Sequence, residues 1–170
     1  MNLDRASLPC MGRLPGWLVD GVATVSFIGR LGPAPGTLGA FAGTVFFAVA
    51  LQDAPPLAGF LVLIVMLVLG TFFADESEKR MGKRDPGCIV VDEFAVMPIV
   101  FLGMAVPESV GARFLMLLAG FLLFRLFDIA KPFGIARIQD LPGGLGIMAD
   151  DVAAALYSCA LLHLFWTIAF

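Results

Sequence analysis

The sequence predicts an all-α integral membrane bundle of about four to five apolar helices, with its chemically interesting loops on one face. Three observations predict it: the composition, the spacing of apolar runs, and the placement of basic residues. Hydrophobic residues make up 59 % of the 170-residue chain and charged residues only 15 %, against roughly 25 % charged in soluble domains. A chain of this length buries too little surface to hide so much apolar area from water, so lipid is the expected solvent. Mean hydropathy is +0.94. A single domain over 1–170 is expected from the length.

Five apolar runs follow one another: Leu38–Leu51, Leu57–Ala74, Phe94–Val106, Ala112–Phe127 and Val152–Phe170. The second and fifth approach the ~20 residues of a spanning helix, and the other three are short. Short runs start a turn earlier, thin the bilayer or re-enter without crossing. All should be helical, because hydrocarbon gives the backbone no hydrogen-bond partner. Trp17–Ile28, apolar but broken by Asp20, reads as an interfacial helix.

If all five runs cross and the N-terminus is cytoplasmic, every one of the 11 Lys and Arg residues except Arg113 falls in or beside the cytoplasmic segments. That is the bias of the positive-inside rule, and it puts every motif loop on the cytoplasmic side. Asp4, Arg5 and Arg13 come with no apolar run between them, so no cleavable signal peptide is expected. The net charge of −3 and the absence of a basic cluster argue against a nucleic-acid partner. Cys10, Cys88 and Cys159 are odd in number and widely spaced, which fits reduced thiols and neither a disulfide framework nor zinc.

Four stretches carry chemistry. Gly29–Gly39 is rich in glycine and proline and ends where the first apolar helix begins. There Gly36 and Thr37 are candidates for phosphate contact, because a helix N-terminus presents free N–H groups to an anion; the plainer alternative is a turn with Thr37 as N-cap. Asp85–Glu93 ends in an acidic pair, Asp92 and Glu93, opening the third apolar helix. A helix dipole explains one carboxylate comfortably and two less well, unless a cation compensates. In Phe124–Pro132, Arg125 and Asp128 share a helical face and Lys131 follows. Asp128 sits at a helix C-terminus, where a carboxylate needs a positive partner: a bound metal, or an ion pair with Arg125 or Lys131. Gly143–Asp151 places a second acidic pair, Asp150 and Asp151, after a glycine-rich loop opening the last helix. The run Asp75–Arg80 reads as a solvated helix extension. His163, the single histidine, lies deep in the last helix and reads as a packed or hydrogen-bonded residue.

Five carboxylates with Arg and Lys on one membrane face are equipment for phosphoryl chemistry. Asp92, Glu93, Asp128, Asp150 and Asp151 are the candidate catalytic and metal-binding set. Their hard oxygen donors favour Mg²⁺, or Mn²⁺, over zinc. Gly36, Thr37, Arg125 and Lys131 are the candidate substrate-binding set. Both attack by water and an aspartyl-phosphate intermediate are compatible with these residues. No C-x-x-x-x-x-R spacing follows Cys10 or Cys88, which argues against a cysteine-nucleophile phosphatase. An ion carrier would place ionisable groups through the bilayer midplane, where only His163 stands; a lipid phospho- or phosphatidyl-transferase using the same metal site is the other alternative.

The motifs G-x-L-x-x-A-P-G-T-x-G (Gly29–Gly39), D-P-x-x-I-V-x-D-E (Asp85–Glu93), F-R-L-F-D-I-x-K-P (Phe124–Pro132) and G-G-L-G-I-M-x-D-D (Gly143–Asp151) resemble those of the phosphatidylglycerophosphatase A family of bacterial membrane enzymes. The similarity runs over about residues 25–158. Departures at Gly32, Ala40, Ala95-Val96, Gly134 and Ala149 remove no charged group. The resemblance implies an all-helical fold in the bacterial inner membrane. It also implies Mg²⁺-dependent hydrolysis of phosphatidylglycerophosphate to phosphatidylglycerol and phosphate.

Overall fold

The computed structural model describes residues 14–132, 141 and 143–169; Cys10, Arg5, Arg13, Gly134 and Arg137 lie outside them. Among the described residues, six α-helices follow in order: α1 (Gly16–Ala23), α2 (Pro35–Phe46), α3 (Pro56–Met81), α4 (Val91–Val100), α5 (Val110–Ala130) and α6 (Gly144–Ala169). The all-α expectation holds among the described residues.

The expected interfacial helix is only the eight residues of α1. Thr24 ends it by donating its hydroxyl to Asp20 O at 2.7 Å and accepting Phe27 N at 3.1 Å. Val25, Ser26 and Phe27 then take positive φ of 49°, 55° and 68°, a left-handed turn that side chains disfavour. Asp20, which interrupts the apolar run in sequence, pairs with Arg30 at 3.0 Å.

Helix α2 opens at Pro35, which needs no N–H partner at N1. It runs on through a wider π turn, Phe47–Leu51, closed by Gln52 N donating to Phe47 O at 2.9 Å. Ala34 is its N-cap, so Thr37 lies inside the first turn and does not cap the helix. Helix α3 is 26 residues long and stops at Gly82, whose φ of 62° is the left-handed cap that glycine adopts without strain. Helix α5 opens under the Ser109 side chain and closes at Lys131.

Among the described residues, three helices are long and apolar enough to cross a membrane: α3, α5 and Gly144–Ile168 of α6. The short fourth run of the sequence is therefore the core of a 21-residue helix. Leu61, Val65 and Val68 on α3, and Phe114 and Leu122 on α5, point outward, as lipid-facing residues should. Helix α2 with its π turn falls short of a span.

The third run behaves differently. Helix α4 has 10 residues, a length of about 15 Å, and residues 95–100 are all buried. It packs against α2, α3, α5 and α6. Beyond it the chain makes a turn with Gly103 at φ 78° and runs non-helically to α5. That non-helical stretch is largely exposed after Phe101, so the buried part of the run is the helix itself. Run three is thus an internal half-helix, and the bundle is built around it.

Small residues let α2 approach it. A Cβ on Gly39 would lie 2.8 Å from Val90 Cβ, and one on Gly43 2.8 Å from Met97 Cγ. Gly39 and Gly43 form a G-x-x-x-G stripe of the kind that brings membrane helices together. Gly43→Leu is expected to destabilise the protein by about 1–3 kcal/mol, the cost of overpacking. Denaturation in detergent checks this; unchanged stability would mean that α2 does not pack through this stripe.

Candidate active site

The starts of α2, α4 and α6 and the ends of α3 and α5 meet at one end of the bundle. This convergence turns separated motifs into one site. Val90 N donates to Ala23 O at 3.0 Å, which anchors the entry to α4. Asp92 and Glu93 follow in its first turn, where the dipole favours anions. Helix α6 packs across α4 and delivers Asp151. One carboxylate oxygen from each of Asp92, Glu93 and Asp151 lies within 4.8 Å of the others.

The other predicted residues sit around this trio. Asp128, on the last turn of α5, sits beside Asp151 and forms an ion pair with Arg125. Lys131 Nζ reaches Asp150 Oδ2 at 2.6 Å. Of the two cations the sequence offered Asp128, Arg125 is the one it pairs with, and Lys131 turns to Asp150. Asp150 and Asp151 diverge, because neighbours on a helix point about 100° apart: Asp151 joins the trio and Asp150 turns to Lys131. Neither opens its helix, since α6 starts at Gly144, nearly two turns earlier; capping accounts for neither. Gly36 touches the cluster directly. A Cβ there would collide with Glu93 Oε1 and lie 3.3 Å from Arg125 Nη1.

The electrostatics are those of an acidic site that Arg125 and Lys131 offset only in part. Asp92 is only 6 % exposed. Burial, with Glu93 and Asp151 as like charges beside it, pushes its carboxyl well above the ordinary range. Burial likewise raises Glu93. Burial alone would lower Lys131, but Asp150, Asp151 and Asp128 outweigh it and hold the ammonium above its usual value. Asp92 Oδ1 and Glu93 Oε2 are buried with no hydrogen-bond partner among the described residues. Buried, unpartnered carboxylate oxygens in so close a group of acids fit a cation, and an all-oxygen donor set fits a hard one such as Mg²⁺.

One group was misjudged from sequence. Asp75, Glu76 and Ser77, expected to be solvated, are 7 %, 6 % and 0 % exposed. Glu76 holds Arg80 at 3.1 Å, and Arg80 donates to Leu14 O at 2.8 Å. Asp75 holds Lys79 at 2.7 Å and accepts from Gly144 N at 3.2 Å. Pairs at i,i+4 look the same in sequence whether water or another helix covers them, and here α6 covers Asp75. The glycines of the last motif serve this contact: a Cβ on Gly144 would strike Thr71 O, and one on Gly143 would strike Asp75 Oδ1. His163, as expected, is a hydrogen-bonded helix residue, its Nδ1 2.9 Å from Cys159 O.

Fold and site together define a class: a multi-helix membrane protein carrying a buried carboxylate cluster able to hold a metal ion at one end of its bundle. The chain belongs to the phosphatidylglycerophosphatase A family, whose profile matches residues 21–166. It is 38 % identical over 135 residues to phosphatidylglycerophosphatase A of Haemophilus influenzae, covering 76 % of this chain and 77 % of that one. It is 34 % identical over 141 residues to phosphatidylglycerophosphatase A of Escherichia coli K12, covering 82 % and 78 % respectively. A putative phosphatidylinositol-3-phosphatase of Bacteroides thetaiotaomicron is 37 % identical over 133 residues, covering 76 % and 81 %. No solved structure matches the chain. Family membership supports a phosphatase reaction, and thus a hydrolase. With the three long apolar helices it supports a multi-pass location in a bacterial inner membrane.

Proposed function

We propose that the protein removes the terminal phosphate of phosphatidylglycerophosphate, giving phosphatidylglycerol and inorganic phosphate, with Mg²⁺ or Mn²⁺ as cofactor and the site facing the cytoplasm. The observation that carries this reading is the convergence of Asp92, Glu93 and Asp151 beside Gly36 and Arg125 in a chain of this family. Asp92, Glu93 and Asp151 would hold the metal, with Asp128 at their edge and Asp150 behind. Bound there, a divalent cation would polarise the phosphomonoester and lower the pKa of attacking water.

The chain's own residues do the rest. Arg125 offers a planar fork to two non-bridging oxygens and Lys131 a point charge. Both are held by carboxylates here, so an incoming phosphate exchanges one anionic partner for another and meets cations already in place. That preorganisation favours the transition state, where charge on those oxygens grows. The first-turn N–H groups of Gly36 and Thr37, and the Thr37 hydroxyl, would orient the phosphate. The acyl chains remain in lipid beside the outward faces of α3 and α5.

The test is phosphate release from phosphatidylglycerophosphate in detergent micelles, with Mg²⁺ and with chelator. Release with Mg²⁺ that chelator abolishes is the expected result. Because one relative is named for a phosphoinositide, phosphatidylinositol 3-phosphate is the second substrate: faster release from it would move the assignment to that lipid. Added alcohol acceptors test the transferase alternative, since formation of a phosphorylated alcohol in place of free phosphate would establish transfer.

A further inference from the structure

We propose that Asp75, on the cytoplasmic-motif end of α3, is a positioning residue that sets the depth and register of α6 and so places Asp151 in the carboxylate cluster. The inference rests on the metal-dependent reading above. Its starting point is that Gly143, the residue directly before α6, offers the helix no capping side chain. The first N–H groups of a helix have no intrahelical partner, and Gly143 before it has no side chain to accept from them. Asp75 supplies the acceptor from another helix: its Oδ1 takes the Gly144 N–H at 3.2 Å in a buried setting.

The capping carboxylate is itself fixed. Lys79, one turn along α3, holds the other oxygen at 2.7 Å, which leaves Oδ1 directed at α6. Contact from the other side closes the clamp. Any Cβ on Gly144 would strike Thr71 O and lie 2.8 Å from Asp75 N, so the start of α6 is pressed onto the backbone of α3 at Thr71 and Asp75. A buried anion at a helix N-terminus also interacts favourably with the dipole. Its burial, to 7 % exposure, makes that interaction stronger than a surface one.

The consequence is geometric. Asp151 is seven residues beyond Gly144, about 10 Å along a rigid helix. A shift or rotation of the α6 start is therefore carried undamped to the carboxylate. A turn of one residue's worth, about 100°, would bring Asp150 to the cluster and take Asp151 out of it. The clamp accordingly selects which member of the Asp150-Asp151 pair faces Asp92 and Glu93 and which faces Lys131.

The experiment uses full-length protein in detergent and reads Mn²⁺ binding directly by electron paramagnetic resonance, beside the Mg²⁺ concentration for half-maximal phosphatase activity. Asp75→Ala removes the acceptor. It is expected to weaken Mn²⁺ binding by about 10–100-fold, the scale for outer-shell residues that orient ligands, and to raise half-maximal Mg²⁺ equally. KM for lipid at saturating Mg²⁺ should change little. Asp75→Asn keeps an oxygen that accepts from Gly144 N and should restore Mn²⁺ binding to within a few fold.

Asp75→Ala that binds Mn²⁺ like wild type, however much its melting temperature falls, overturns the proposal, because the cap is then only structural. Asp75→Asn as poor as Asp75→Ala also overturns it, because charge and not the acceptor is then what matters. If Asp75→Ala does not fold, Asp75→Glu replaces it: one added methylene keeps the charge and shifts the helix start, so wild-type Mn²⁺ affinity there would likewise sink the idea. Wild-type protein that binds no Mn²⁺ would refute the metal-dependent reading first and this inference with it, a failure distinguishable because it precedes any substitution at Asp75.

Discussion

Asp92→Asn is expected to lower turnover by about 10²–10³-fold, the scale on which loss of one preorganised electrostatic contact acts, while leaving the cation-free protein at least as stable as wild type. The two halves of this result have one cause. Asp92 is buried beside two other carboxylates, with one oxygen unpartnered among the described residues. A neutral amide of the same shape relieves that repulsion and removes a buried charge whose close neighbours Glu93 and Asp151 are also acidic. The charge is kept for function at a cost in stability.

Thermal unfolding with and without Mg²⁺ checks both halves. Wild type should gain stability as Mg²⁺ rises, by about 2.7 kcal/mol at a hundred times the dissociation constant. Asp92→Asn should start at an equal or higher melting temperature and gain little. A variant that melts lower without cation and still responds fully to Mg²⁺ would place the metal elsewhere.

Gly36→Ala is expected to cost on the order of 10²-fold in activity, the effect of about 1 Å of misplacement at a reacting centre. Local propensity predicts the opposite sign for stability. Alanine in the first turn of α2 is a better helix former than glycine by about 1 kcal/mol. The loss arises from the approach of α2 to the site: the added methyl would collide with Glu93 Oε1 and press on Arg125 Nη1 at 3.3 Å. Either α2 retreats or the Glu93 carboxylate and the guanidinium are displaced, and both change the space a phosphate would occupy. Activity assayed beside a melting curve separates the cases. Full activity would show that the Gly36 turn takes no part in the site; lost activity with retained or improved stability is the predicted signature.

The sequence by itself determined the solvent, the helical class and the family. Composition and apolar runs are summed properties, and lipid forces helices on any chain that enters it. The four motifs singled out the candidate carboxylates and cations, because charge so near hydrocarbon needs a reason. Tertiary structure decided how they are divided. Asp150 and Asp151 are adjacent in the chain and equivalent in pattern, and only the orientation of α6 against α4 and α5 sends one to Glu93 and the other to Lys131. Run Phe94–Val106 looks like a short span, and only its enclosure by α2, α3, α5 and α6 makes it an internal half-helix. Asp75 looks like a solvated residue paired with Lys79, and only the docking of Gly144 on α3 buries it as the cap of another helix. Hydropathy and local spacing are written along the chain, whereas burial and cap partners are set by segments as distant as 69 residues, whose approach depends on packing and not on local pattern.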